Sequence, residues 1–247
     1  MDVTHPAPDY ISPTTPFFAS EAQVIRTELA TYGAQKIMQQ MHVSEAIASN
    51  VVTMYQATTT KPALWMYAGD VFKGFQAATI TQASADFSQD HLLIVSGAYG
   101  VLRPYDMISP YRLEMRAKLA VDSATTLYGF WQDKLGAHVQ TLLGSGGELC
   151  VLSSEEYAKP ITTHLDSATR TTTPVFLDTK ANGLVAQIPI YNKMMRGVMA
   201  RWIADERIDS SEALLAFSAH GYEYRSDMGT AKRPAFFRSR MTPLNIM

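Results

Sequence analysis

Apolar residues recur every three to four positions in several stretches of the chain, which is the spacing of one buried face of an α-helix. Ser20 and Gln23 have the spacing of a capping box, and Ser44 precedes a periodic run from Ile47 to Tyr55. The pattern predicts helices over 20–33, 34–41, from 44 onward, 123–143, 193–207 and 210–217.

Short apolar runs bounded by glycine, proline or polar residues predict buried strands between these helices. The predicted strands are 63–67, 91–95, 148–152, 175–177 and 184–190, with a closing pair at 222–225 and 234–238. Alternating strands and helices predict an α/β (α+β) fold, a single mixed β-sheet wrapped by helices. Without a repeat or a linker, we expect one domain over 1–247, with a helical N-terminal subdomain at about 20–60.

Composition excludes several classes of protein. The 247 residues are 47% hydrophobic, enough for a sizeable core, and the formal net charge of −2 gives no overall basic field. The apolar runs are shorter than the roughly 20 residues of a membrane span, and the first residues do not form a signal peptide. We therefore expect a cytoplasmic protein without a membrane partner. Its single cysteine, Cys150, lies in an apolar run and is expected to be a buried, inert thiol.

Polar and charged residues are concentrated behind the predicted strand 91–95, in a loop where sites are commonly built. Arg103 and Arg112 flank Asp106 there. If the following segment is extended, Arg112, Glu114 and Arg116 form a charged row on one side. Such rows are usually structural, but they also hold arginines that bind phosphate.

A second candidate lies near the start of the predicted helix 193–207. Lys193 and Arg196 are three residues apart, hence on one helix face. Gly197 after them permits close approach of another backbone. These cations could bind an anion near the helix N-terminus, or Arg196 could form a structural pair with Glu114 or Glu156; the residues leave both open.

Charge is distributed unevenly along the chain. Residues 1–60 contain two basic and five acidic side chains, whereas 190–240 contain nine basic and six acidic ones. This imbalance is typical of an ordinary solvated face, or of a cationic groove for phosphates. Tyr99 and Tyr191 could stack on bases or pack at the rim of the core. Asp70 could cap a helix starting at Val71 or face the site.

Several blocks of the chain resemble one family. Ser96–Asp106 (SGAYGVLRPYD) and Pro110–Met115 (PYRLEM) resemble the signature of the YaaA, or peroxide-stress, family. Further blocks resemble the family in the same order: GDVFKGF from Gly69, LYGFW from Leu127, SEEY from Ser154, PVFLD from Pro174, YNKMMRG from Tyr191 and GY at Gly221. Seven blocks in order identify the chain as a member of this family.

One departure from the family lies at the start of the chain. The family usually opens with a strand and loop similar to LxxLSPAKTMD, whereas Met1-Asp2 resembles only the last two residues of that block. We expect Met1 to be an internal methionine used as a start, so that the first strand and its Ser-Pro-Ala-Lys loop are absent.

The resemblance implies a mixed sheet wrapped by helices, a positively charged cleft that binds DNA, and a role in limiting iron-dependent damage under peroxide stress. The block at 41–48 does not contain the Gly-hydrophobic-Gly hairpin that usually contacts backbone phosphate. The preferred DNA site is therefore a cleft lined by Arg103, Arg112, Lys193 and Arg196. We expect a monomer that binds duplex, single-stranded or branched DNA without catalysis of its own.

An alternative is an enzyme that acts on a nucleotide, a nucleobase or a nucleic acid. A DNA clamp needs cations, whereas Asp70, Glu114 and Glu156 are residues suited to acid–base chemistry. In that case Glu156 or Asp70 would be the acid or base, and Lys193 and Arg196 would hold the anion. The scattered histidines and the absence of a phosphate-binding glycine loop predict no metal and no cofactor.

Overall fold

The computed structural model describes residues 1–239, in which short helices and strands alternate. The α-helices are α1 (Ala19–Ala30), α2 (Ala34–Met41), α3 (Glu45–Gln56), α4 (Ala63–Met66), α5 (Asp70–Phe75), α6 (Gln82–His91), α7 (Leu127–Leu143), α8 (Glu155–Thr162) and α9 (Pro189–Glu206). The strands are β1 (Lys61–Pro62), β2 (Ile94–Ser96), β3 (Gly100–Leu102), β4 (Met107–Ile108), β5 (Glu148–Cys150), β6 (Arg170–Thr172), β7 (Val175–Thr179), β8 (Val185–Ala186), β9 (Glu223–Thr230) and β10 (Arg233–Arg238). This mixture of helices and strands confirms the α+β class.

The described residues form two compact units. The first unit comprises Met1–Tyr67, Gln89–Leu142 and Ser153–Leu165. The second comprises Ala68–Ser88, Leu143–Leu152 and 166–239. One domain over the whole chain stays a prediction. Arg240 is one of the nine basic residues in the stretch 190–240, and it lies outside the residues that the structure describes.

The strands of residues 1–239 belong to four small sheets, so the prediction of a single sheet is wrong. The largest is mixed and has the order β8-β7-β10-β9, with β10 parallel to β7 and antiparallel to β9. The pairs β1–β4, β2–β3 and β5–β6 form two-stranded sheets. The apolar run at 63–67 was expected to be a strand, but its residues 63–66 form the fully buried helix α4, because periodicity cannot separate a short buried strand from a short buried helix.

In the first unit, α7 and the loop from Ser96 form a common core. Trp131 of α7 is fully buried, and its Nε1 donates a hydrogen bond to the carbonyl oxygen of Gly97 at 2.8 Å. Gly100 has a φ of +72°, and a Cβ there would lie 2.8 Å from the Trp131 ring. Glycine is therefore required where this loop crosses the indole. The predicted helices α1, α2 and α3 pack together within the same unit.

In the second unit, α9 covers the four-stranded sheet and also packs against α5. The core beneath α9 is a cluster of buried side chains: Phe176, Met195, Met199, Phe217, Tyr222 and Phe236. A Cβ on Gly197 would lie 1.8 Å from the carbonyl oxygen of Val71, and one on Gly74 would lie 2.1 Å from that of Met194. The expectation that Gly197 permits close approach of another backbone is confirmed.

Several element boundaries differ from the predictions. Ser20 lies inside α1 and makes no cap, since the helix begins at Ala19. Ser44 occupies the N-cap position of α3 as predicted, but its side chain makes no capping hydrogen bond. The predicted strand 184–190 is reduced to two residues because Pro189, with its fixed φ, begins α9. Within 210–217 the structure has only a 3₁₀ turn, Ala213–Ala216.

The turn at Val121 and Ala124 delays the start of α7 from 123 to Leu127. Among residues 1–239, no helix combines the length and the apolar character that a membrane span requires.

Candidate functional site

Arg196 is the central residue of the candidate site in the second unit. It lies on α9 and is partly buried, and its Nε is shielded from solvent without a hydrogen-bond acceptor. No ion pair among residues 1–239 involves Arg196; a structural pair with Glu114 or Glu156, which belong to the first unit, stays an open alternative. The guanidinium therefore retains donors for an external acceptor.

The electrostatic surroundings of Arg196 are cationic. Burial lowers the pKa of its guanidinium, and the nearby charge of Arg233 lowers it further. Lys193 lies one turn earlier on α9, is exposed, and has no carboxylate partner in the described part of the chain. Asn192 is buried beside them on α9; its amide nitrogen donates to Gln187, while its Oδ1 has no donor.

In the first unit, Asp106 holds the loop that presents Arg103. Asp106 is 4% exposed and accepts hydrogen bonds from the Thr14 hydroxyl at 2.7 Å and from the Arg103 backbone at 2.8 Å. The Arg103 side chain donates to the carbonyl oxygen of Gln89 at 3.0 Å and lies 3.7 Å from an oxygen of Asp90. Asp106 thus fixes the loop, while its supporting role at a binding site stays a prediction, and Arg103 is already engaged at the end of α6.

The predicted charged row is present. Tyr111, Leu113 and Met115 are buried, whereas Arg112 and Glu114 between them are exposed, which is the alternation of an extended segment, and the chain then turns at Met115 and Arg116. Oxygens of Glu114 lie 3.9 Å from Arg112 and 3.2 Å from Arg116. Glu114 therefore pairs with both exposed guanidinium groups, and its supporting role at a binding site stays a prediction.

The two acids considered for catalysis both have partners within their units. Glu156 accepts a hydrogen bond from the Arg116 backbone at 3.1 Å. Asp70 lies 3.7 Å from Lys73. The prediction that Asp70 caps a helix from Val71 is wrong by one position, because α5 begins at Asp70 and Gly69 occupies the N-cap.

The tyrosines proposed for base stacking are used in packing. Tyr99 is 6% exposed, its hydroxyl accepts a hydrogen bond from the Ser109 backbone, and its ring packs against Tyr111. Tyr191 has the guanidinium of Arg238 over its ring at 5.1 Å. Stacking by Tyr99 would require the loop to open, because the side chain is buried.

A chain of hydroxyl groups anchors the same loop. The Tyr67 and Tyr111 hydroxyls are 2.6 Å apart, and the Ser96 hydroxyl lies 2.6 Å from that of Tyr111. Ser96 also accepts the backbone N–H groups of Ala98 and Tyr99. Burial raises the pKa of both Tyr67 and Tyr111. The hydroxyls are therefore neutral, and they bind each other rather than solvent.

Sequence reasoning did not identify a buried ion pair in the second unit. Arg238 donates to Oδ1 of Asp178 from Nε at 2.8 Å and from Nη2 at 2.6 Å. The Tyr222 hydroxyl donates to Oδ2 at 2.5 Å, and burial together with Asp178 raises the pKa of Tyr222. Arg238 is thus neutralised, and it differs from Arg196 in this respect. The parallel register that places Arg238 beside Asp178 leaves no local signal in the sequence.

The next features are the burial of the single thiol, Cys150, and the spacing of side chains that could bind a metal. Cys150 is partly buried at the end of β5, and desolvation raises its pKa to about 12. Within residues 1–239, no three His, Cys, Asp or Glu side chains cluster closely enough to hold a metal ion.

Arg103 and Arg112 belong to the first unit, and Lys193 and Arg196 to the second. A cleft shared by all four stays a prediction.

Comparison with known proteins places the chain in a family. A family model described as peroxide stress protein YaaA matches residues 1–228. A UPF0246 protein of Tolumonas auensis is 37% identical, covering 93% of this chain and 94% of the relative. A UPF0246 protein of Laribacter hongkongensis is 34% identical, covering 96% and 95%, and one of Shewanella pealeana is 39% identical, covering 80% of each. The chain belongs to the peroxide stress protein YaaA family.

Proposed function

We propose that this protein binds DNA in the cytoplasm and thereby limits iron-dependent oxidative damage under peroxide stress. Binding uses cationic side chains that contact backbone phosphates, with Lys193 and Arg196 of α9 as the first contacts. Phosphate contacts of this kind position a protein on DNA without reading its sequence, so binding is weakly sequence-specific.

The observation that carries the proposal is the unpaired state of Arg196. Its Nε is buried without an acceptor and no carboxylate neutralises it within the described residues. A buried N–H without an acceptor carries a desolvation cost of roughly 1–3 kcal/mol. A phosphate oxygen cannot reach the shielded Nε, but it can accept hydrogen bonds from the Nη groups of Arg196, and charge-assisted bonds between arginine and phosphate are among the stronger hydrogen bonds.

Arg112 of the first unit is a further side chain that contacts DNA phosphates in this proposal. Its exposed guanidinium is held near Glu114 and retains donors directed to solvent. Arg103 contributes less, because a backbone carbonyl and Asp90 already engage it.

The alternative of an enzyme acting on nucleotides or nucleic acid is less well supported. Asp70 has a cationic partner in Lys73, and Glu156 accepts a backbone hydrogen bond. A general acid or base needs a proton-transfer position close to a bound substrate. Both carboxylates instead have partners suited to fixing the ends of helices and loops, which favours binding without catalysis.

The experiment is fluorescence anisotropy with labelled duplex, single-stranded and junction DNA over a salt series. We expect binding whose logarithm falls linearly with the logarithm of salt concentration, with a slope of about −0.9 per phosphate contact on duplex DNA. Absence of binding to all three at low salt would refute the proposal. Release of an altered base or nucleotide from the DNA would instead support the enzyme.

A further inference from the structure

Phe17 of the first unit is an aromatic side chain that the fold leaves in solvent. It is 68% exposed, the highest value among the large apolar side chains of residues 1–239. A single exposed apolar residue is ordinary on a protein surface. Phe17 differs from such a residue because other rings hold its ring in a defined orientation.

The ring of Phe17 lies on the imidazole of His138, which belongs to α7. The two ring centroids are 3.9 Å apart and the ring planes are inclined by 24°, so the rings are stacked. Phe18 packs nearly perpendicular to Phe17, with centroids 4.9 Å apart. Since His138 covers one face of the Phe17 ring and the residue is still mostly exposed, the opposite face is open to solvent.

Buried neighbours fix both members of the stacked pair. Pro16 and Phe18, on either side of Phe17, are buried. The Phe18 ring packs against the fully buried Trp131, with centroids 5.5 Å apart, and His138 follows Trp131 by two turns of the same helix. The two rings are therefore ordered before a ligand binds, which reduces the entropic cost of binding a flat molecule.

The stacked pair is uncharged at neutral pH, and a cation lies beside it. Burial lowers the pKa of His138, and the charge of Arg103 lowers it further. Lys134 lies one turn before His138 on the same face of α7. Its side chain is 40% exposed, and its ammonium lies 3.5 Å from a carboxylate oxygen of Glu21. A pair this exposed contributes little stability, so Lys134 can exchange Glu21 for a phosphate.

We infer that the open face of Phe17 is a stacking platform for an unpaired base of single-stranded DNA, with Lys134 contacting a neighbouring phosphate. Aromatic side chains stack on any base, because every base has a π-face. In a duplex, neighbouring bases already cover both faces of each base. The choice of DNA as the source of the base rests on the proposed function, whereas the choice of a flat aromatic ligand rests on the ring geometry.

The test compares a labelled thymine single strand with a labelled duplex by fluorescence anisotropy. Phe17→Ala should weaken binding to the single strand by at least about fivefold and leave duplex binding within about twofold. Phe17→Tyr retains a π-face and should bind the single strand like wild type. Val24→Ala is the matched control, because Val24 is another exposed apolar residue of the same unit, at 46%. It should leave both affinities unchanged.

The outcomes separate this platform from the proposed function. Equal binding of the single strand by wild type and Phe17→Ala would overturn the platform while DNA binding stands. An equal loss in Phe17→Tyr or in Val24→Ala would also overturn it, because the effect would not depend on an aromatic face. So would an equal loss of duplex binding in Phe17→Ala, since a duplex offers no unpaired base.

If wild-type protein binds neither DNA, the proposed function fails, and an NMR titration with adenosine decides the platform. The ring protons of Phe17 are assigned by their absence from the spectrum of Phe17→Ala. A shift of these protons with adenosine would support stacking on the open face, and unshifted protons would refute it.

Discussion

Replacement of Gly197 by alanine tests the contact that fixes α9, and with it the position of Arg196. A Cβ at this position would lie 1.8 Å from the carbonyl oxygen of Val71 and 2.8 Å from the backbone nitrogen of Phe75. Both atoms belong to the backbone of α5, so no side-chain rotation can relieve the clash. The two helices must instead move apart, and the nearby contact of Gly74 with the Met194 carbonyl opposes this movement.

The size of the effect follows from the distances. Ordinary contact requires α5 and α9 to separate by roughly 1.5 Å, which is more than an overpacked core absorbs for its usual cost of about 1–3 kcal/mol. Alanine gains about 1 kcal/mol of helix propensity over glycine. We therefore expect Gly197→Ala to lower the free energy of unfolding by about 2 kcal/mol or more.

Thermal unfolding followed by circular dichroism measures this change. The expected fall in the midpoint is about 4–8 °C for a chain of this size. Gly129→Ala is the matched control, because it places the same methyl group in α7 with its nearest neighbour at 3.4 Å. That variant should be unchanged or more stable by about 0.5 kcal/mol. A Gly197→Ala protein as stable as the Gly129→Ala protein would refute the proposed packing of α9.

Three further predictions concern buried groups. Asp178→Asn leaves the charge of Arg238 buried without its counter-ion and should cost about 3–5 kcal/mol in urea unfolding; a loss below about 1 kcal/mol would contradict the ion pair. Burial raises the pKa of Cys150 from 9.0 to about 12, so at pH 8 the native thiol should react with a disulfide reagent about 50-fold more slowly than in urea, since the smaller thiolate fraction is partly offset by a more nucleophilic thiolate; equal rates would exclude this burial. Burial also raises the pKa of Tyr67 and Tyr111. The unfolded chain therefore loses these protons first, and the contribution of the two tyrosines to stability should be constant below about pH 10 and fall above it; a urea midpoint unchanged between pH 10 and 11.5 would contradict their burial.

Local patterns were sufficient to predict some elements of the fold. The helix α2 has the predicted bounds, and α7 ends at Leu143 as expected, because Gly144 after it adopts a φ of +66° that glycine accepts readily. The charged row beside Glu114 was predictable from the alternation of apolar and charged residues alone.

Other elements depend on contacts that no local pattern records. Residues 63–66 are apolar throughout and became a helix, since Ala63 and Leu64 donate their backbone hydrogen bonds to the carbonyls of Asp106 and Pro104. The expected single sheet required pairing between strands of two or three residues, and such short strands leave pairing partners undetermined.

In the candidate site too, some features could be predicted from local sequence, whereas others depend on contacts between distant residues. The helical spacing of Lys193 and Arg196 and the role of Gly197 were visible in the sequence. The sequence could not show which arginines are neutralised, because Arg238 and its partner Asp178 are 60 residues apart.

The most direct test of DNA binding by α9 compares Arg196→Ala with Arg225→Ala in duplex binding over a salt series. Loss of one phosphate contact should weaken binding and reduce the salt slope by about 1 in Arg196→Ala. Arg225→Ala should behave as wild type, because Asp227 already neutralises that arginine. Identical affinities and slopes for wild type and Arg196→Ala would contradict the proposed role of this residue.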